Sequence, residues 1–253
     1  MMLAKRPLVV FIGPSLPPEG LPEALQADIR PPAAQGDIAA VSLEAKDCVI
    51  ALIDGVFQGA PAVRHKEILW AIDRGATIFG AASMGALRAA ELSSFGMHGR
   101  GLIYRWFRRN ALAPDDAVAV LHTPEELGAV AITDSLFDLR IRFKQLRKEG
   151  QITACQESAL VTAAFQLHYT ERHLKAVLAA ARDNGANISI SDLAKPDCTQ
   201  KQLDAQLLLD ELTDRQKSGL WPLPTPAAAF VPTDAFLQDL ADAGFSLDSF
   251  SGA

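Results

Sequence analysis

Ser83 stands in Gly80-Ala81-Ala82-Ser83-Met84-Gly85, between a short β-leaning run, Thr77-Ile78-Phe79, and the Ala/Leu-rich stretch Met84 to Leu92. That order reads as strand, tight turn, helix. A serine at such a bend is lifted above the sheet edge, the position from which an acyl-transfer nucleophile works. The helix that follows presents unpaired amides and a positive dipole end suited to a developing oxyanion. Candidate donors are the amides of Met84 and Gly85, with the turns at Gly13 and Gly55 beside them, and Arg88 one turn along is a candidate substrate contact. The competing reading is that Ser83 only caps the helix, serine being a preferred cap residue.

A nucleophilic serine needs a base, and Arg64-His65-Lys66-Glu67-Ile68-Leu69-Trp70 offers two adjacent candidates. On a helix His65 shares a face with Ile68, Leu69 and Ile72, while Lys66 shares one with Leu69, Trp70 and Asp73. Histidine acts near neutrality without special surroundings. Lysine must first lose most of its charge, which partial burial against Trp70 would promote, and Ser-Lys pairs are a known variant of triad logic. Asp54, followed by Gly55, ends a strand-like run and either orients Lys66 or bonds its own turn.

The elements that must position these groups follow from the apolar pattern. Pro7 to Gly13, Cys48 to Ile53 and Ala76 to Gly80 are near-continuous apolar runs closed by glycine or Asp-Gly, the form of strands buried on both faces of a parallel sheet. A helix from Ala62 to Asp73 and another from Met84 alternate with them, which predicts an α/β fold with a parallel-sheet core and flanking helices. A short helix from Leu21 to Ala27 and a fourth strand at Ala117 to Leu121 are further expectations, and residues 30–37 read as loop. Tyr104 to Arg109 is either a partner-binding patch or a helix with a buried aromatic side and solvated arginines.

Beyond Thr133 the pattern turns helical. Leu136, Leu139, Phe143 and Leu146 form a stripe stopped by Gly150. Thr153 with Gln156 and Thr199 with Gln202 read as capping boxes, Gly185 and Gly219 as stops, and Thr233 as the cap of a last helix to Asp242, after an extended connector from Trp221 to Pro226. The expected division is an α/β core over residues 1–142 and a mostly helical extension over 143–253, with nothing beyond residue 142 taken as catalytic.

Composition limits the function classes. A net charge of -6 argues against broad phosphate-backbone binding, so nucleic acid is not an expected partner. No apolar run approaches the ~18 residues that span a bilayer, and the start of the chain does not read as a secretory signal, so a soluble cytoplasmic protein without membrane partners is expected. Cys48, Cys155 and Cys198 are too few and too scattered for a disulfide framework or a metal knuckle. Asp115-Asp116 has no accompanying ligand cluster and reads as a helix start or turn.

Several blocks, in order, resemble the TfuA-like proteins. They are Phe11-Ile12-Gly13-Pro14-Ser15-Leu16, Pro31-Pro32-Ala33 with Gly36-Asp37, Ile53-Asp54-Gly55-Val56-Phe57, His65 to Leu69, Gly80 to Leu92, Gly96-Met97 and Asp115-Asp116, covering roughly residues 8–142. The resemblance implies a partner of a YcaO enzyme in peptide backbone thioamidation. It further implies hydrolysis of the C-terminal thiocarboxylate of a ThiS-like sulfur carrier, with no cofactor, by a Ser-Lys pair that carries over to Ser83 and Lys66. The stretch 100–109 and the tail from 151 depart from the pattern. The alternative function is a non-catalytic adaptor that binds the YcaO enzyme and its peptide.

Overall fold

Of the 253 residues, the computed structural model describes 6–124, 127–183, 198–224 and 229–246. The three apolar runs become β1 (Leu8–Phe11), β3 (Val49–Leu52) and β4 (Thr77–Gly80), whose residues are buried throughout. With β2 (Asp28–Arg30) and β5 (His98–Gly99) they make a five-stranded, all-parallel sheet in the order β2-β1-β3-β4-β5. In register, Phe11 faces Leu52, Leu52 faces Gly80 and Gly80 faces Gly99, so the carboxyl ends lie on one edge.

Side chains alternate across these strands and two cores result. Val9, Phe11, Ile50, Leu52 and Ile78 pack against α1 (Asp37–Glu44), α2 (His65–Asp73) and α3 (Met84–Leu92). On the other face Leu8, Val10, Val49, Ala51 and Phe79 meet Ala205, Leu208, Leu209 and Leu212 of α8 (Gln200–Ser218). The β1-to-β2 connection also lies on that face, through Leu16, Leu21, Leu25 and Ala27, but with only a 3₁₀ turn at Pro18–Gly20 and no α-helix. Helix α8, from far along the chain, supplies the missing cover.

A third core joins α3 to α4 (Gly101–Arg109), α5 (Leu136–Lys148), α6 (Ala154–Gln166) and α7 (Leu174–Asp183). The expected stripe of Leu136, Leu139, Phe143 and Leu146 is its α5 contribution. Helix α9 (Asp234–Asp242) lies outside α1 and α2, with Phe236 and Leu240 against Ala39 and Trp70. Among the described residues no helix is long and apolar enough to cross a membrane.

Local signals act as the sequence states them where side chains are the cause. Thr153/Gln156 and Thr199/Gln202 form reciprocal capping boxes, Thr233 caps α9, and Gly219 ends α8 in the left-handed region at φ 71°. Gly185 lies outside the described residues. Four expectations differ. Helix α2 begins at His65 and not at Ala62, which forms a β-bridge with Ala34. Residues 21–27 hold no helix, since Leu21 and Leu25 are drawn individually onto the sheet. Residues 117–121 are not a strand: Ala117 and Val118 close a 3₁₀ turn begun after Pro114 and are buried in the α4–α7 core, away from the sheet. Residues 30–37 are not wholly loop, because β2 ends at Arg30 and α1 starts at Asp37.

Candidate active site

The order β2-β1-β3-β4-β5 reverses direction between β1 and β3, and open parallel sheets bind ligands in the crevice outside the strand ends at that point. Here Pro14 follows β1 and Asp54-Gly55 follow β3, and these three line a cleft of about 210 Å³ together with Ser83. Phe57, Gln58, Leu121, His122 and Tyr169 are among its other walls.

Ser83 reaches this cleft through an unusual bend. Ala82 takes φ 64°, a left-handed conformation uncommon for a residue with a Cβ, and the Ser83 amide donates to Ala81 O at 2.8 Å. Ser83 itself, at φ -116° and ψ -123°, precedes α3, and its hydroxyl makes no cap hydrogen bond. Its carbonyl accepts instead from Ala86 and Leu87. The capping reading of the side chain therefore fails, and Ser83, a residue only 3% exposed, stands at the cleft wall.

Two glycines let the helix sit this low. A Cβ on Gly85 would stand 1.7 Å from Leu52 O, and one on Gly80 would stand 2.1 Å from Gly85 O. The Gly85 amide donates to Ile53 O at 3.2 Å, so it is committed to seating α3 on β3. That corrects the expectation of two oxyanion amides at this turn: Met84 keeps the role as a candidate and Gly85 serves packing.

Asp54 is 1% exposed and fully engaged. Its Oδ2 accepts from the Gly13 and Ser15 amides at 2.9 and 3.0 Å, and its Oδ1 accepts from Ser15 Oγ at 2.6 Å. Lys201 Nζ, from the first turn of α8, lies 4.0 Å from Oδ1 and donates to Val118 O at 3.1 Å. Asp54 thus ties the loop after β1, β3 and α8 into one floor. Gly13 contributes through this bond to the carboxylate.

The structure does not bring Lys66 or His65 to Ser83. Lys66 donates to Val231 O at 3.2 Å and lies 5.3 Å from the Phe230 ring centre. Helical spacing explains this: Ile68, Ala71 and Ile72 take the sheet side of α2, so Lys66 and Trp70 fall on the opposite side, where α9 packs. His65 Nε2 meets Glu91 at 2.8 Å, and Arg88 binds the same carboxylate at 2.8 Å and Val63 O at 3.0 Å. These three form a separate cluster against α2 and none of them lines the cleft.

His122 is the titratable group that sequence reasoning passed over. Its loop folds back on itself: Leu121 O accepts from Ile132, the Leu121 amide donates to Thr133 Oγ1, and His122 bridges to Ala131. His122 Nδ1 lies 2.8 Å from Thr123 O, and since a carbonyl only accepts, Nδ1 carries the hydrogen and the neutral ring offers Nε2 as a base. Tyr169, whose hydroxyl donates to Gln58 Oε1 at 2.9 Å, closes the far wall, and burial raises the phenol above its ordinary range, with Asp116 adding to the effect. Asp116 pairs with the buried Arg172 at 2.9 Å, which anchors the segment carrying Tyr169.

The same stretch of chain carries a family match. Residues 54–173 match the model for the TfuA-like protein family, and a comparison with curated proteins gives no match. This stretch is TfuA-like. The family is associated with an accessory role in thioamidation within YcaO-dependent pathways. The TfuA-like stretch opens on Asp54 and contains Ser83, His122 and Tyr169, whereas Ser15 and Lys201, which complete the floor, lie outside it.

Proposed function

We propose that this chain is a hydrolase-type partner of a YcaO enzyme that releases sulfide from the thiocarboxylated C-terminus of a ThiS-like carrier for peptide backbone thioamidation. The observation that carries the reading is Ser83: a hydroxyl at a strand-to-helix bend, free of capping, on the wall of a cleft at the sheet's reversal point. The family's link to thioamidation supplies the substrate class.

In this reading Ser83 Oγ attacks the thiocarboxylate carbon while His122 Nε2 takes its proton. The imidazolium returns that proton to sulfur as the C–S bond breaks, the electron pair leaves on sulfur, and hydrosulfide departs from an acyl-serine with the imidazole neutral again. Water, deprotonated by the same imidazole, then frees the carrier as a carboxylate and restores the serine. The Met84 amide and the positive end of α3 face the negative charge on oxygen. Lys201 does not take a proton here; its ammonium holds Asp54, and through it the cleft floor. Lys66, bonded to Val231 O, is left a structural role.

Sulfide release from a thiocarboxylated carrier tests this directly. Wild-type chain should release sulfide and Ser83→Ala should not, while the variant still co-purifies with the YcaO partner. Unchanged release by Ser83→Ala would leave the adaptor function in its place.

A further inference from the structure

We propose that a groove between α4, α5 and α6 docks an acidic amphipathic helix from a partner protein. The groove holds about 530 Å³. Its floor is apolar, built by Leu102 and Trp106 of α4, Phe137 and Ile141 of α5, and Val161 of α6. Trp106 sits edge-on to Phe137 at 5.1 Å, so the aromatic anchor is fixed before anything binds. An immobile aromatic flanked by arginine is the composition of binding hot spots.

The rim gives the sign of the partner. Arg140, Lys144 and Arg147 edge the groove on the exposed side of α5, in a chain whose net charge is -6. The carboxylate on the opposite edge, Glu157, is tied to Arg147 at 2.5 Å. Arg140 lies 5.7 Å from the Trp106 ring centre, and Lys144 is solvent-exposed. Glutamates on an incoming helix would meet these two cations while its apolar face covers Trp106, Ile141 and Val161. Helices α5 and α6 each run 13 residues, about 20 Å, the length of three to four turns of such a ligand.

A second copy of the chain is the poorer occupant. An exposed apolar helical pair lies on α8, where Leu203 and Leu207 are 53% and 52% exposed. Docking that pair into this groove joins two different patches, a heterologous contact that need not close and leads toward open chains. None of the described residues lining the groove lines the Ser83 cleft, so an occupied groove leaves the cleft open. The inference stands whether or not Ser83 is catalytic.

The test uses the full chain and two fluorescein-labelled 18-residue amphipathic peptides with identical leucine faces, one carrying glutamate elsewhere and the other lysine. Anisotropy titration should show the glutamate peptide binding at least tenfold more tightly than the lysine peptide. Arg140→Glu with Lys144→Glu, both exposed, should reverse that order with an unchanged circular dichroism spectrum. Equal binding of the two peptides, or binding unaffected by the double variant, overturns the proposal. So does wild-type self-association in sedimentation velocity that the double variant abolishes, which would give the groove to a second copy.

Discussion

Lys201 Nζ lies 4.0 Å from Asp54 Oδ1 with both side chains withdrawn from solvent, so the first turn of α8 and the end of β3 are held by one buried ion pair. Removing one member leaves the other charge uncompensated, which typically costs about 3 kcal/mol or more. Lys201→Met should lower unfolding free energy by about that amount in urea denaturation. The double variant Asp54→Asn with Lys201→Met should lose less than the two single losses added together. Strict additivity would mean that the two groups do not feel each other.

Ser83→Ala separates chemistry from stability. Because the hydroxyl caps nothing, the usual cost of about 1 kcal/mol for a lost cap should not appear, and the thermal midpoint should stay near wild type. Sulfide release should fall by several orders of magnitude, as when an acyl-forming serine is removed. A large drop in stability with activity retained per folded molecule would return Ser83 to a structural role.

The base is decided by a pair of variants. His122→Ala should reduce the rate by roughly 10²- to 10⁴-fold, the range for a positioned general base. Lys66→Ala should leave the rate within about twofold, costing no more than the ~0.5–1 kcal/mol of an exposed cation–π contact. Sulfide release that collapses in Lys66→Ala and survives in His122→Ala would overturn the assignment.

Glu67 makes stability depend on pH. Buried at the N-terminal turn of α2, it accepts from the Gly36 and Arg64 amides, yet desolvation outweighs those bonds and pushes its pKa up to about 7 from 4.5. Between those values the folded chain holds a proton that the unfolded chain has released. Its contribution is therefore complete below pH 4.5 and is lost as pH rises through about 7, on the order of 3 kcal/mol in all. Denaturation of wild type and Glu67→Gln at pH 5 and pH 8 should show a decline in wild type that the variant lacks. Parallel curves would refute it.

The sheet's three central strands and the Ser83 bend were legible because each is written locally: apolar runs closed by glycine, and small residues where α3 must approach β3 closely. The groups around Ser83 were not. His122 lies in a loop with no periodicity, and its place depends on backbone bonds between residues 121 and 133. Lys201 sits inside a capping box that reads only as a helix start, and its meeting with Asp54 depends on α8 covering a sheet face that the β1-to-β2 connection covers only in part. Lys66 misled because a helix face shows which residues travel together and not what they face. On α2 the Lys66 side belongs to α9.

The late arrival of α8 bears on how the chain matures on the ribosome. The part of one sheet face that α8 covers, with Val10, Ala51 and Phe79 in its core, stays bare from the moment β5 is made until Ser218 has left the exit tunnel. At bacterial to eukaryotic elongation speeds that interval is roughly ten seconds. Throughout it the nascent chain displays an oily surface suited to chaperone capture, and the lysine that locks Asp54 has not yet arrived. The cleft is consequently finished among the last events of synthesis, so a nascent or prematurely terminated chain lacking α8 carries Ser83 without the floor beneath it.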